Sequence, residues 1–421
     1  MPTTEVVVTG VGVVSPIGIG KQRFAEALYA GRSGIRPFTL FDPAGLTVRI
    51  GGEIPDFDPK AAGLPRKSLK VMPRDAQIGV AASLLACRDG AVSGGNVDPE
   101  RFGVILGADR VCGSIADSAP AYRKCMTDGR FDFSRWGPEG IPVVFPLSFL
   151  RVLPNMVASH MSIVHDARGP NNTIHHGEVS SLLAVSEAAQ VIDRGMADVM
   201  LAGGASSQMD PHDWVCHCSS GRLSPRQEDP AAVMRPFDAG RDGEVRGEGA
   251  AVFLLERRRQ AEARGATILA RVAGWASASG SRGGPPAAGL ALRRAMAQAL
   301  DRAGLRPGEI GHVNAHGWST VGDDPVEAAA IHELLPDVPV TAPRSYFGNL
   351  GAAAGAVEMA ASVLAFSAGL VPPTLNHQRP DPACPVRVVS GEPLADLART
   401  ALLVNWTRIG QAVALVLTGP E

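Results

Sequence analysis

The chain has 421 residues, which is enough for one large α/β protein or for two fused halves, and 45% of them are hydrophobic. Its net charge of −2 gives no indication of a nucleic-acid partner. It shows no signal-peptide pattern and no apolar run that we judge long enough for a transmembrane span, so we expect a cytoplasmic protein.

Apolar or β-branched runs alternate with helical patterns along the whole chain. The runs predict strands at residues 5–8, 102–106, 199–202, 251–255, 268–273, 312–315, 401–404 and 412–417. The helical patterns fall at residues 21–30, 73–88, 179–194, 289–303, 326–335 and 355–367. This alternation is typical of a layered α/β protein in which helices cover the sheets.

One segment, residues 169–207, has the pattern of an active-site elbow. A Gly-Pro-Asn turn and a short β run lead into a tight turn, and a helix is predicted at Ser180–Asp193. A strand at 198–202 then ends in Gly203-Gly204. The residue at the turn, Glu178, would lie at the start of the helix, where free N–H groups and the helix dipole favour an anion.

The chain also contains a faint internal repeat. The stretch GEVSSLLAVSEAAQVIDRGMADVMLAGG is similar to GNLGAAAGAVEMAASVLAFSAGLVPPT, because each has a glycine turn followed by a small-residue helix. The repeat predicts two halves, 1–256 and 257–421, with a cap or insertion over 107–165. Two such halves would stack as a five-layer αβαβα sandwich, although Ala-rich helices also resemble one another by chance.

Six cysteines are scattered over the chain at Cys87, Cys112, Cys125, Cys216, Cys218 and Cys384, which is typical of reduced thiols. The run Cys216-His217-Cys218 is the strongest candidate for a metal site. We interpret it as a strand, whose alternation would separate the two thiols from the imidazole. The sequence therefore predicts neither a metal nor a cofactor.

Five ordered segments resemble the β-ketoacyl-acyl-carrier-protein synthases (ketosynthases) of the thiolase superfamily. They are VVVTGVGVVSPIG, PNMVASHMSIVHDARGPNNTI, MRPFDAGRDGEVRGEGAAVFLLE, VNAHGWSTVGDDPVEAAAI and RSYFGNLGAAAGAVE. The resemblance implies the thiolase-like αβαβα fold. It also implies acyl transfer from a carrier protein to a catalytic Cys, assisted by two His and tuned by a Lys with an acidic residue nearby.

The resemblance places different residues at most of these catalytic positions. The family elbow normally reads TACAS, whereas here it reads His176-Gly177-Glu178-Val179-Ser180, so that Glu178 replaces the Cys. The first His is kept as His316, the second becomes Asn349, the Lys becomes Arg344 and the acid is kept as Glu327. The family's glycine-rich gating loop becomes bulky and charged, with Trp406, Arg408 and Gln411, and Trp318 replaces a Thr beside the first His.

A carboxylate is a poor substitute for the thiolate, because its attack on a thioester would give a mixed anhydride. Its charge would also oppose the malonyl carboxylate and the enolate formed from it. We therefore expect a non-condensing protein that resembles a chain-length factor, which pairs with an active ketosynthase and with an acyl carrier protein. Two alternatives remain: an enzyme with changed chemistry at Glu178 and His316, and an idle homodimer that binds acyl groups.

Three further expectations concern the surroundings of Glu178. We expect it to pair with Arg344, Arg408 or His316. We interpret His175 and His176 as a solvated or core-capping pair, with proton transfer as the alternative. The resemblance implies a dimer formed through the strand at 198–202, pairing with its mate across a two-fold axis.

Overall fold

The computed structural model describes residues 5–93, 95–109, 113, 115–280, 285–395 and 398–420. The strands are β1 Val6–Ser15, β2 Gly18–Ile19, β3 Arg36–Pro37, β4 Ile50–Gly51, β5 Phe102–Ala108, β6 Met126–Thr127, β7 Arg130–Phe131, β8 Asn171–Ile174, β9 Val199–Ser207, β10 Glu248–Arg257, β11 Ala270–Ser279, β12 His312–Asn314, β13 Pro339–Thr341, β14 Leu370–Val371, β15 Arg387–Val388, β16 Leu394–Ala395, β17 Thr400–Trp406 and β18 Gln411–Thr418. The helices are α1 Lys21–Tyr29, α2 Arg74–Asp89, α3 Ile115–Lys124, α4 Met156–His165, α5 Ser180–Asp193, α6 Pro211–Ser219, α7 Arg258–Ala263, α8 Pro285–Ala303, α9 Asp324–Leu334, α10 Arg344–Phe347 and α11 Ala354–Ala368.

The large sheet consists of two halves with the same strand pattern. Its order is β15-β13-β12-β17-β18-β11-β1-β10-β9-β5-β8. In one half, β8, β5 and β9 are parallel, and β10 and β1 then pair antiparallel. In the other half, β13, β12 and β17 are parallel, and β18 and β11 follow antiparallel. The halves meet where Val6, Val7 and Val8 of β1 pair with β11.

Three large apolar clusters fill the spaces between five layers. The central cluster contains α5 and α11 together with one face of each half-sheet, including Leu415 of β18. The opposite face of β18, with Ala414 and Val416, packs on α8 and α9. A third cluster packs α2 and α4 on the other half-sheet. Because neighbouring residues of a strand point to opposite faces, each half-sheet separates two cores, which confirms the predicted αβαβα sandwich.

The two central helices begin in the same way, as the predicted repeat requires. A 3₁₀ turn, Gly177–Val179, leads into α5, and the matching turn, Gly351–Ala353, leads into α11. Each turn starts at a glycine with positive φ, 58° at Gly177 and 53° at Gly351. Glycine reaches this conformation without the steric cost of a side chain. The pseudo-repeated architecture is therefore confirmed, while the boundary between residues 256 and 257 and the cap at 107–165 stay predictions.

The structure corrects three local predictions. The strand predicted at 198–202 does not end at Gly203-Gly204, because β9 continues through both glycines to Ser207. It is also an interior strand, bonded to β5 and β10, so it has no free edge for pairing across a two-fold axis. The run Cys216-His217-Cys218 lies in α6 and not in a strand. Cys112 lies outside the described residues.

One apolar stretch, Gly351–Ala368, has the length and composition of a membrane-spanning helix, contrary to our expectation from the sequence. It comprises the turn before α11 and α11 itself, and 83% of the window is buried inside the protein. A helix that is apolar on all sides is equally typical of a protein core. The position of α11 in the central layer accounts for its composition.

Candidate active site

The elbow holds Glu178 where the sequence predicts it, at the N-terminus of the buried helix α5. The turn before α5 is braced by Ser180, whose hydroxyl accepts from His176 N at 2.8 Å and donates to Gly177 O at 2.6 Å. The Glu178 side chain is 15% exposed. It therefore lies at the wall of a cavity, neither fully buried nor on an open loop.

The cation beside Glu178 is Arg246, which we did not predict from the sequence. Arg246 Nη1 lies 3.5 Å from Glu178 Oε1, which is an ion-pair distance but longer than an ordinary hydrogen bond. The three predicted partners are engaged elsewhere: Arg344 binds Glu358, Arg408 binds Asp323, and His316 accepts from Arg344. The expectation of a nearby cation is confirmed, but its predicted identity is wrong.

Glu244 connects Arg246 to Asn349, the residue predicted to replace the second His. Its carboxylate accepts from Arg246 Nη2 at 2.9 Å and from Arg222 Nε at 3.1 Å. Asn349 Nδ2 donates to the same carboxylate at 2.7 Å. Burial alone would raise the pKa of Glu244, but the Arg246 and Arg222 charges hold it below its ordinary value. Asn349 thus stabilises an ionised Glu244.

His316 is held as a neutral imidazole. Its Nδ1 accepts from Arg344 Nη2 at 2.8 Å and from Asn405 Nδ2 at 2.6 Å. Because a guanidinium has only donors, Nδ1 must be the unprotonated nitrogen, and the proton is on Nε2. Burial, and then the charge of Arg344, lower the pKa of His316 well below its ordinary value.

The acidic partner of Arg344 is Glu358 and not Glu327. Glu358 Oε1 accepts from Arg344 Nε at 3.0 Å, and its Oε2 accepts from Asn405 Nδ2 at 2.6 Å. Glu327 instead accepts from the backbone N–H groups of His316, at 2.7 Å, and Gly317, at 2.9 Å. Burial raises the pKa of Glu327 to about 8. Glu327 therefore positions the backbone of the His316 turn, without contacting Arg344 through a hydrogen bond.

Trp318 lies between His316 and the open part of the site. The two rings meet edge to face with centroids 4.6 Å apart. The guanidinium carbons of Arg222 and Arg344 lie 4.7 Å and 5.4 Å from the Trp318 centroid, within cation–π range. Trp406 packs edge-on behind it at 5.9 Å. Charged and aromatic neighbours thus fix the indole beside His316.

A cavity of about 410 Å³ opens over the elbow. Of the residues predicted to form the acyl gate, Trp318, Arg408 and Gln411 line it, whereas Trp406 is fully buried. His316 is not among the described lining residues. His175 and His176 line the rim as exposed side chains, which agrees with the solvated interpretation. The rings are oriented by hydrogen bonds, from His175 Nδ1 to Ala108 O and between Gln411 Nε2 and His176 Nδ1.

The sequence did not indicate four of the residues that build this site: Arg222, Glu244, Arg246 and Glu358. Three of them lie within quoted motifs: Glu244 and Arg246 in the charged stretch that precedes the apolar run AAVFLLE, and Glu358 at the end of RSYFGNLGAAAGAVE. The structure buries all three, and buried charges are rare unless they are paired. No local pattern in the sequence distinguished them from the other charges of these motifs. Among the described residues, no group of three or more metal-ligating side chains is positioned to hold a metal ion.

Comparison with known protein families covers most of the chain. The models of the "Beta-ketoacyl synthase, N-terminal domain" and the "Beta-ketoacyl synthase, C-terminal domain" match residues 3–261 and 269–378. The chain belongs to the beta-ketoacyl synthase family. A polyketide ketosynthase-family relative, the "Tetracenomycin polyketide synthase ketoacyl synthase alpha subunit" of Streptomyces glaucescens, is 35% identical over 99% of this chain and 97% of its own.

Solved beta-ketoacyl synthase structures share the whole fold. One, "The ishigamide ketosynthase/chain length factor", covers 100% of both chains with a TM-score of 0.87 and 30% identity. Another, an "AntDE:AntF" complex of a "type II PKS acyl-carrier protein" with "its ketosynthase", covers 99% of this chain and 100% of the other with a TM-score of 0.85 and 28% identity. The thiolase-like fold that the sequence predicted is thereby confirmed.

Proposed function

We propose that this beta-ketoacyl synthase family chain is a non-condensing subunit that acts with an active ketosynthase, in the manner of a chain-length factor. The observation that carries the proposal is Glu178, which stands at the nucleophile position of the elbow and is paired with Arg246. Its place in polyketide or fatty-acid biosynthesis follows from its relatives. The proposed partners are the ketosynthase and an acyl carrier protein, and the proposed location is the cytoplasm.

The chemistry of Glu178 supports a role without covalent acyl transfer. A mixed anhydride would be higher in energy than a thioester, and the carboxylate is already engaged by Arg246. Asn349 donates one amide hydrogen to Glu244. Because an amide does not titrate near neutral pH, Asn349 does not replace the second His as a proton-transfer group. Trp318 separates His316 from the cavity. Each of these contacts disfavours condensation.

The same contacts weigh against an enzyme with changed chemistry. That alternative needs Glu178 and His316 to face one substrate, but His316 lies behind Trp318 and outside the described cavity lining. The third alternative, an idle homodimer, differs from our proposal only in the identity of the partner. Both alternatives are decided by the same experiment.

The surface proposed for the ketosynthase is the free edge of β8. Among the described strands, β8 pairs only with β5 and forms one end of the sheet, unlike the interior strand β9. A groove of about 700 Å³ runs beside it, between α5 and β11. Several large apolar side chains of the 115–153 segment are also exposed, with Phe133 at 76%, Ile141 at 56% and Phe149 at 54%. Exposed apolar clusters and free strand edges both favour association.

The deciding experiment is co-expression with a ketosynthase that retains the Cys, preferably the product of a neighbouring gene. We expect the two chains to copurify and to form product from malonyl-loaded carrier protein. The chain alone should neither become acylated nor release CO2. Product formation by the chain without its partner would contradict the proposal, and so would a chain that stays monomeric at micromolar concentration with the ketosynthase present.

A further inference from the structure

Two arginines that line the groove beside β8 are held by neutral acceptors. Arg194, directly after α5, and Arg302, in the last turn of α8, are both exposed. Arg194 Nη2 donates to Gln190 Oε1 at 3.3 Å, and Arg302 Nη1 donates to Trp275 O at 2.7 Å. These hydrogen bonds orient the guanidinium groups but do not neutralise them. Both positive charges are therefore available to another molecule.

The groove offers little negative charge in return. Glu187 is its one carboxylate among the described lining residues, and Glu187 Oε1 already accepts from Asn172 Nδ2 at 3.0 Å. Asp193 and Asp301 precede the two arginines in the chain but do not line the groove. The described lining, with two Arg and one Glu, therefore has an excess of positive charge.

The floor of the groove is suited to a protein surface. Trp275 and Leu183 line it, are half-buried and pack against the central apolar cluster. The free edge of β8 lies alongside, and its unpaired backbone groups can bond to another chain. A tryptophan surrounded by charged residues is an arrangement that is usual in protein interfaces.

The charge of the groove determines which protein fits it. In a two-fold symmetric dimer both copies use the same surface, so each groove would have to supply the carboxylates that the arginines of the other groove need. Two copies would bring together four arginines and two glutamates from the described linings, and each Glu187 is already bound by Asn172. Like charges across an interface disfavour a partner, whereas opposite charges steer it into place.

We propose that this groove selects a ketosynthase whose facing surface carries carboxylates, and that Arg194 and Arg302 disfavour a second copy of this chain. The identity of the partner rests on the proposed function. The inference deepens that function, because it gives a physical reason for a heterodimer in place of a homodimer. It involves no covalent step.

The test uses a charge-reversed form of the chain itself as the acidic partner. Arg194→Glu and Arg302→Glu are combined in one variant, which is mixed with the wild-type chain and followed by sedimentation velocity at micromolar concentration. We expect this mixture to associate about tenfold more tightly than wild type with itself. The gain should decrease as NaCl rises from about 50 to about 500 mM, because the new ion pairs include exposed side chains. The charge-reversed variant should also fail to copurify with the ketosynthase.

The matched control combines Arg32→Glu and Arg259→Glu, which reverse two exposed arginines outside the groove. This control should bind wild type no better than wild type binds itself, and it should still copurify with the ketosynthase. Wild-type self-association as tight as that of the mixture would overturn the proposal. So would a gain that does not respond to salt, or a charge-reversed variant that copurifies with the ketosynthase as wild type does. Because the mixing experiment contains no ketosynthase, failed copurification of the wild type would count against the proposed function alone.

Discussion

Arg344 donates its Nη2 hydrogen to His316 Nδ1 at 2.8 Å, and this contact fixes both the tautomer and the charge of the imidazole. The same guanidinium donates Nε to Glu358 at 3.0 Å. The planar guanidinium of Arg344 therefore holds the neutral His316 and the carboxyl group of Glu358 in one orientation. The compact ammonium of a Lys cannot reproduce this geometry.

Arg344→Met should be strongly destabilising. It leaves the buried Glu358 without its cation, and removing one partner of a buried ion pair costs about 3 to 5 kcal/mol. The measurement is the free energy of unfolding in urea. Arg408→Met is the matched control, because Arg408 is 51% exposed and its pair with Asp323 should contribute less than about 1 kcal/mol. A similar decrease in the free energy of unfolding for both variants would show that Arg344 is not an essential part of the core.

The free energy of unfolding should decrease as the pH rises from about 6.5 to about 8, above the range in which histidines with lowered pKa values, such as His165, His217 and His312, act in the opposite direction. Burial raises the pKa of Glu327 to about 8 and that of Asp324 to about 7, so the folded state binds protons that the unfolded chain has already lost. While one group is protonated only in the folded state, the free energy of unfolding decreases by about 1.4 kcal/mol per pH unit. Glu327→Gln should flatten this dependence in urea titrations at several pH values. An unchanged slope would mean that Glu327 is ionised in the folded protein.

Glu178→Gln should lower thermal stability slightly while leaving assembly and product formation by the ketosynthase pair intact. The amide is nearly isosteric with the carboxylate but loses the ion pair with Arg246, and the effect should be small because Arg246 keeps Glu244 as its partner. Melting temperature and product yield of the reconstituted pair are the measurements. Lost product with unchanged stability and pairing would favour an enzyme with changed chemistry.

Glu178→Cys should not restore condensation. The new thiolate would face a site in which His316 packs against Trp318 outside the described cavity lining and in which Asn349 offers no titratable ring. Mass spectrometry for acyl-enzyme and CO2 release from malonyl-loaded carrier protein are the measurements. Robust condensation by this single variant would contradict the role that we give to Trp318.

The sequence predicted the elements that local patterns encode. The helix α5 was predicted with both of its observed ends, Ser180 and Asp193, because its small apolar residues follow the helical period between a glycine turn and a Gly-Met-Ala-Asp break. Most predicted strands were found as apolar runs that end too early, whereas the strand predicted at 312–315 is one residue longer than β12. The extension of β9 through Gly203-Gly204 depends on pairing with β10, which no local pattern reports.

The partners within the site could not be predicted in the same way. Asn405 meets His316 across 89 residues, and Asn349 meets Glu244 across 105. Motif matching indicated several residues that lie near the elbow, such as Asn349 and His316. It did not indicate which side chains pair, because Arg246, Arg344 and Arg408 are chemically equivalent as candidates for Glu178. Packing decides among them.

The strand β1 is central in the sheet and yet the first strand of the described chain. Val6 pairs with Arg257 on one side and with Val272 on the other, so both neighbours of β1 are made long after it. During translation the apolar segment of β1 therefore stays unpaired until β10 and β11 have been synthesised. Such long sequence separations slow folding and expose the chain to aggregation in the meantime. We infer that this protein acquires its structure late and as one cooperative unit, and that truncation after β10 should yield an insoluble fragment and not a folded half.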